Sequence, residues 1–203
     1  MEIRKILKGN KVDLNSVTDI HLATFKGFFL TFMGRGFLRV MYKCYCEHGK
    51  SGLIGAFNEE NELIGFLAYS GDMSGLYKYM IKNKLVLFAW YSLLAFFRKP
   101  KIFMRLVRAF LKPSESKRSE KYIELSSIGV KPDCKSKGIG TSLINHLKGI
   151  VDFSEYKYIN LETDAVNNDS ANSFYKKNGF ILARTFQTTE KREMNEYHWS
   201  EKQ

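Results

Sequence analysis

The chain has 203 residues, 44% of them apolar and 14% aromatic, which excludes disorder as its dominant state and allows one sizeable core. Its three cysteines, Cys44, Cys46 and Cys134, are odd in number, which argues against a disulfide scaffold and for a reducing, cytosolic setting. The formal charge of +11 suggests nucleic acid or an anionic surface, but the excess is local. Residues 71–121 carry 12 basic and 3 acidic residues, against 9 and 7 in 1–70 and 11 and 11 in 122–203. No helix-turn-helix, zinc-finger or RNA-binding sheet signature accompanies it, so no specific nucleic-acid partner is expected. The first ten residues, MEIRKILKGN, show no export signal, which makes the cytoplasm the expected location.

In chain order, residues 2–7 read as a first strand. Residues 12–48 carry a helical apolar pattern, broken at Met33-Gly34-Arg35-Gly36. Apolar runs at 53–57 and 63–69, joined by Asn58-Glu59-Glu60-Asn61-Glu62, predict a hairpin. Residues 85–97 follow as thirteen uncharged positions flanked by Lys82, Lys84, Arg98 and Lys99. A spanning helix needs roughly 20 apolar residues, so this run is too short to cross a bilayer. Pro100 ends it, a second helical stripe is expected at 102–111, and 113–119 reads as a loop. Strands are then predicted at 122–130, 158–163, 180–189 and 192–199. Helices are expected at 139–151 and after Asp169 or Ser170, the latter ending at Asn178-Gly179. This order indicates an α/β sheet in a single domain over 1–203, with a basic, apolar helical insertion at about 71–121.

Two features of the third quarter carry chemistry. In 122–130, Ile123 and Leu125 have one parity and Ile128 and Val130 the other, so a regular strand cannot turn all four to one face. One extra residue around Ser126-Ser127 restores the register, which predicts a β-bulge, a device common beside active sites. Burial of the strand on both faces is the alternative. The loop that follows places Lys135, Ser136, Lys137, Gly138, Ile139, Gly140 and Thr141 at the start of an amphipathic helix. The glycines allow close backbone approach, and free amides with the positive dipole end suit a pyrophosphate.

These residues resemble the GNAT acetyltransferase superfamily. Its acetyl-CoA loop, V-x-P-x-x-(Q/R)-x-x-G-x-(G/A), is matched at Val130, Pro132, Gly138 and Gly140, with Lys135 where Gln or Arg is usual. The pattern N-x-x-A-x-x-(F/L)-Y-x-x-x-G-F is matched by Asn168, Ala171, Phe174, Tyr175, Gly179 and Phe180. The resemblance implies a mixed, largely antiparallel twisted sheet flanked by helices, and direct acetyl transfer from acetyl-CoA to an amine with no metal. It implies that Ile128, Gly129 and Val130 offer backbone groups to the pantetheine and thioester, that residues 135–141 hold the pyrophosphate, and that Asn168 orients the cofactor. Tyr175 would protonate the thiolate, and Glu124 stands where some members keep a general base.

Other constellations are weaker. Cys44-x-Cys46-x-His48 lacks the usual zinc spacing and a second pair. Cys134 lies in the phosphate loop without an evident partner histidine, and His21 and His198 are further candidate bases. The region after His21 is similar to GNAT-like proteins from bacterial surface-polysaccharide clusters, which points to an amino sugar or nucleotide-linked amino sugar. Phe25, Phe29 and Arg35 are then candidates for acceptor contact. Protein or peptide amines, and a non-catalytic acyl-CoA-binding protein, remain alternatives. For the insertion, two helices covering the sheet edge, a lid for an anionic acceptor, a homodimer contact and a peripheral membrane contact through 76–112 at the inner membrane face all stay open.

Overall fold

The computed structural model describes residues 1–98, 100, 120–188 and 191–201. Seven strands form one sheet in the order β1 (Glu2–Lys5), β2 (Ser51–Phe57), β3 (Leu63–Ser70), β4 (Ile123–Val130), β5 (Ile159–Asp164), β7 (Glu193–Trp199) and β6 (Ile181–Gln187). Every neighbouring pair is antiparallel except β4 with β5. The largely antiparallel mixed sheet is the expected architecture.

Helices α1 (Lys11–Thr24), α2 (Phe29–Met33), α3 (Arg35–Glu47) and α4 (Met73–Arg98) precede β4. After it come a single 3-10 turn (Pro132–Cys134), α5 (Ile139–Ile150) and α6 (Asp169–Lys177). The apolar pattern over 12–48 is cut twice: Gly34 was the expected break, and Gly27 adds another, with φ of 85° and 84° that glycine adopts without strain.

The sheet has a core on each face. Strand β2 is buried along its whole length because alternate residues serve opposite sides. Leu53 and Phe57 join Val17, Leu38, Tyr42 and Leu76 from α1, α3 and α4. Ile54 and Ala56 join Leu143, Ile144 and Leu147 from α5. These three α5 side chains are fully buried, each contributing about 1.5–3 kcal/mol through removal from water.

Two elements differ from expectation. Asn168, not Asp169 or Ser170, is the residue that caps α6, and its side chain turns back to β5 instead of bonding the helix. The thirteen-residue apolar run is the second half of a 26-residue helix, about 39 Å long at 1.5 Å per residue. The lysines do not stop it, because Lys84 reaches Glu47 of α3 at 3.5 Å while Lys78 and Lys82 lie exposed. By length and composition α4 is therefore sufficient to cross a membrane, which the run alone is not. The expected helix at 102–111 and loop at 113–119 lie outside the described residues.

Candidate active site

The site is built on β4. Ala68 of β3 pairs with Ser127 and Tyr69 with Leu125, leaving Ser126 as the extra residue of a bulge. Its effect is the one the parity demands: Ile123, Leu125, Ile128 and Val130 all reach the α5 core. Two tyrosines three residues apart on α3 lie against the bulge, Tyr45 beside Ser126 and Tyr42 beside Ser127. Burial pushes both phenols well above the ordinary tyrosine value, so both stay neutral.

Strands β4 and β5 are paired only at Ile123 with Ile159 and Glu124 with Asn160. Beyond these they diverge, and the β5-side edge of β4 opens into a cleft of about 820 Å³. Ile128, Gly129 and Val130 line it; they pair with β3 on one side and have no strand partner on the other, where the Val130 carbonyl accepts a hydrogen bond from Thr24 Oγ1 at 3.3 Å. Lys135, Ser136, Gly138, Ile139, Gly140 and Thr141 line its far end. Ser136 and Gly138 have φ of 63° and 75°, and a side chain on Gly138 would meet nothing within 4 Å. The first intrahelical bond of α5 runs from Ser142 N–H to the Gly138 carbonyl, so the amides before it have no acceptor in the helix. That concave set of donors at a positive helix end fits a pyrophosphate, and the unpaired edge fits an amide-bearing arm.

Lys137 and Gly140 stand apart in this loop. Lys137 is exposed and does not line the cleft, because the left-handed turn at Ser136 separates it from Lys135. Gly140 is needed for packing: a Cβ there would lie 2.9 Å from the Phe174 ring, so glycine lets α5 and α6 approach each other.

Asn168 and Tyr175 line the cleft from α6. The Asn168 amide donates to Thr163 Oγ1 at 2.7 Å and to the Asp164 carbonyl at 3.3 Å, tying the start of α6 to the end of β5. Tyr175 packs among Phe174, Phe180 and Tyr197, and burial pushes its phenol up to about 12. Glu124 is not in this cleft. It lines an adjoining pocket of about 190 Å³, walled by Phe37, Met41, Met73, Met80 and Phe88, that meets the cleft at Ser126 and Ser127. Asn160 Nδ2 donates to Glu124 Oε2 at 2.6 Å; Asn160 is 1% exposed, and its Oδ1 has no partner among the described residues. Sequence reasoning missed Asn160, Tyr42 and Tyr45. A polar residue between Ile159 and Leu161, on the face opposite theirs, was the available sign for Asn160.

The remaining candidates separate. His21 lines the cleft with Nδ1 2.6 Å from the Tyr42 hydroxyl, and burial lowers its pKa to about 4. It is neutral at pH 7 and a weak base. His198 lies outside both cavities, 2.6 Å from Glu196 and stacked on Tyr158 at 4.1 Å. Phe25 lines the cleft, whereas Arg35 is paired with Asp19. Burial raises the thiols of Cys44 and Cys46 to about 12, opposite to what a metal-binding thiolate needs. Among the described residues no group of three or more His, Cys, Asp or Glu side chains is placed to hold a metal ion.

The family model described as "Acetyltransferase (GNAT) family" matches residues 15–180, a span that contains the bulged strand, the α5 loop and α6. The chain belongs to the GNAT acetyltransferase family. It is an acyltransferase by that membership, and GNAT proteins use acetyl-CoA as co-substrate. No curated protein matches the sequence. Among solved structures, Arabidopsis thaliana NAA60 in complex with acetyl-CoA superposes with a TM-score of 0.59 at 16% identity, over 100% of this chain and 99% of that one. A GNAT-family acetyltransferase candidate from Desulfovibrio desulfuricans gives 0.62 at 14% identity, over 98% of each chain. The Escherichia coli ribosomal-protein-S18-alanine N-acetyltransferase gives 0.58 at 13% identity, over 98% of this chain and 92% of that one. At these identities the likeness is one of fold.

Proposed function

We propose that the protein transfers an acetyl group from acetyl-CoA directly to the primary amine of a small molecule. The observation that carries this reading is the meeting, at the Ser126-Ser127 bulge, of a large cleft and a smaller pocket. The cofactor, when bound, supplies a thioester whose carbonyl is open to attack by an amine. Amides at the α5 start and the Lys135 ammonium hold its phosphates, and the free edge at Ile128–Val130 positions its arm. Backbone N–H groups on that edge stabilise negative charge on the thioester oxygen. Glu124 takes a proton from the incoming ammonium, and Asn160 fixes the orientation of its carboxylate. Tyr175 gives its proton to the departing sulfur; at a pKa of about 12 it is fully protonated at neutral pH.

The inner pocket favours a small acceptor. At about 190 Å³ it accommodates one amine-bearing arm, and its three methionines and two phenylalanines suit a methylene or ring stem better than a hydroxyl-rich sugar. The workplace of such an enzyme is the cytoplasm, where acetyl-CoA is made. A thiol-release assay with acetyl-CoA over polyamines, alkyl and aryl amines, amino sugars, nucleotide-linked amino sugars and peptides tests the reading. Turnover with a small amine is expected; turnover with peptides alone would replace it by protein acetylation. Silence across the panel, with acetyl-CoA still bound, would leave a non-catalytic binding protein.

A further inference from the structure

Helix α4 has two faces of different kinds. Met73, Leu76, Met80, Phe88 and Tyr91 turn toward the fold: Leu76 and Met80 are buried, Phe88 stacks edge-on against Phe37 at 4.8 Å, and Tyr91 fills the space at Gly36. The opposite face runs Lys78, Lys82, Val86, Trp90, Leu93 and Phe97, steps of three or four residues that keep one side of a helix. All six are exposed, Val86 to 81%, Trp90 to 58% and Phe97 to 73%. A row of four large apolar side chains in water, led by two ammonium groups, is costly for a surface that meets only solvent.

We infer that this face of α4 seats the protein on an anionic lipid surface, with the helix lying in the plane of the interface. Charge decides between the occupants an apolar row admits. Residues 71–121 carry 12 basic and 3 acidic residues, so a second copy would bring one cationic segment against another, whereas anionic headgroups neutralise it. Nucleic acid would satisfy the lysines and leave Val86, Trp90, Leu93 and Phe97 with no apolar partner. A transverse orientation would pull Leu76, Met80 and the Lys84–Glu47 pair out of the fold, although α4 is long enough to span. In-plane binding keeps those contacts and inserts only the outer row. The same helix supplies Met73, Tyr77, Met80 and Phe88 to the inner pocket, so docking would bring the acceptor pocket beside the membrane.

Vesicle flotation of the full chain tests this without reference to turnover, using phosphatidylcholine alone and phosphatidylcholine mixed with phosphatidylglycerol. Flotation is expected with the anionic vesicles only, is lost at high salt, and is accompanied by a blue shift of Trp90 emission in a Trp199→Phe background. Lys78→Gln with Lys82→Gln should lower the partition coefficient about 25-fold, about fivefold for each charge. Val86→Glu with Phe97→Glu should abolish flotation with acetyl-CoA binding unchanged. Absence of flotation, or equal flotation by these variants, overturns the inference. So does a lipid-free dimer dissolved by Val86→Glu with Phe97→Glu, which assigns the face to a second copy. A lipid-free monomer with Trp90 shielded from acrylamide overturns it too, because the chain then covers the row itself.

Discussion

The half of the molecule from β4 to β7 and the helix α4 are built on opposite rules. In the former α5 presents one apolar stripe to the sheet and the bulge keeps four strand residues on that side, while the exposed apolar residues Ile150, Val166, Ile181 and Leu182 are scattered and form no row on one helix face. Its charges balance, 11 basic and 11 acidic over residues 122–203. In α4 the apolar residues go all round, one face packing on α3 and the other left in solvent. Surface that is one-sided specifies a fold; surface that is two-sided specifies a fold and a partner. The loop proposed to hold acetyl-CoA belongs to the first region, and the pocket proposed for the acceptor is lined by residues of both.

The comparison breaks most visibly at Tyr175. Replacing it by Phe should reduce turnover about 10²–10⁴-fold while calorimetry shows unchanged acetyl-CoA affinity, the separation expected of a proton donor that packs as Phe would. Glu124→Gln should lower turnover about 100-fold at neutral pH, with the deficit shrinking as pH rises and the acceptor amine loses its own proton. A deficit that is constant with pH would assign Glu124 to binding.

His21 probes the buried side by stability. It is 2% exposed with a pKa near 4 in the fold, against 6.5 in the unfolded chain. The unfolded state therefore binds an extra proton between those values. The stability contribution is full above pH 6.5 and falls by about 3 kcal/mol on descending to pH 4. Urea unfolding at the two pH values should show that slope in the wild type and a smaller one in His21→Asn. Gly140→Ala should cost about 1–3 kcal/mol and weaken acetyl-CoA binding, since the new methyl would press on Phe174 and displace the start of α5. At the small end, Val86→Glu should change folding stability by no more than about 0.5 kcal/mol and leave turnover in detergent-free buffer intact. A large loss there would show that the exposed row is part of the core, and the contrast between the regions would fall.

What could be read from residues alone follows the same division. The bulge was legible because strand parity is a strict rule with four apolar markers, and the hairpin and α5 were legible because each has one buried face. The divergence of β4 from β5 left no mark of its own, since it is an absence of pairing. Helix α4 was cut short because lysines usually mark an end, whereas Lys84 is held by Glu47 and Lys78 and Lys82 lie in solvent. Asn160 was hidden for a related reason: its meaning depends on Glu124, thirty-six positions away, through a hydrogen bond that strand pairing alone creates.

The pairing of Ser70 with Glu124 carries a consequence for how such an enzyme can change. Neighbouring strands lie about 4.8 Å apart, so the fifty-residue excursion departs and returns at almost the same point of the sheet. An excursion with adjoining ends is exchangeable: it can be lengthened, shortened or replaced by a tight turn without moving a strand. Exchange would redraw one wall of the acceptor pocket and the outer surface together, and leave the acetyl-CoA cradle as it stands. On the two proposals above, acceptor choice and membrane seating share one replaceable cassette, while the donor site is built elsewhere.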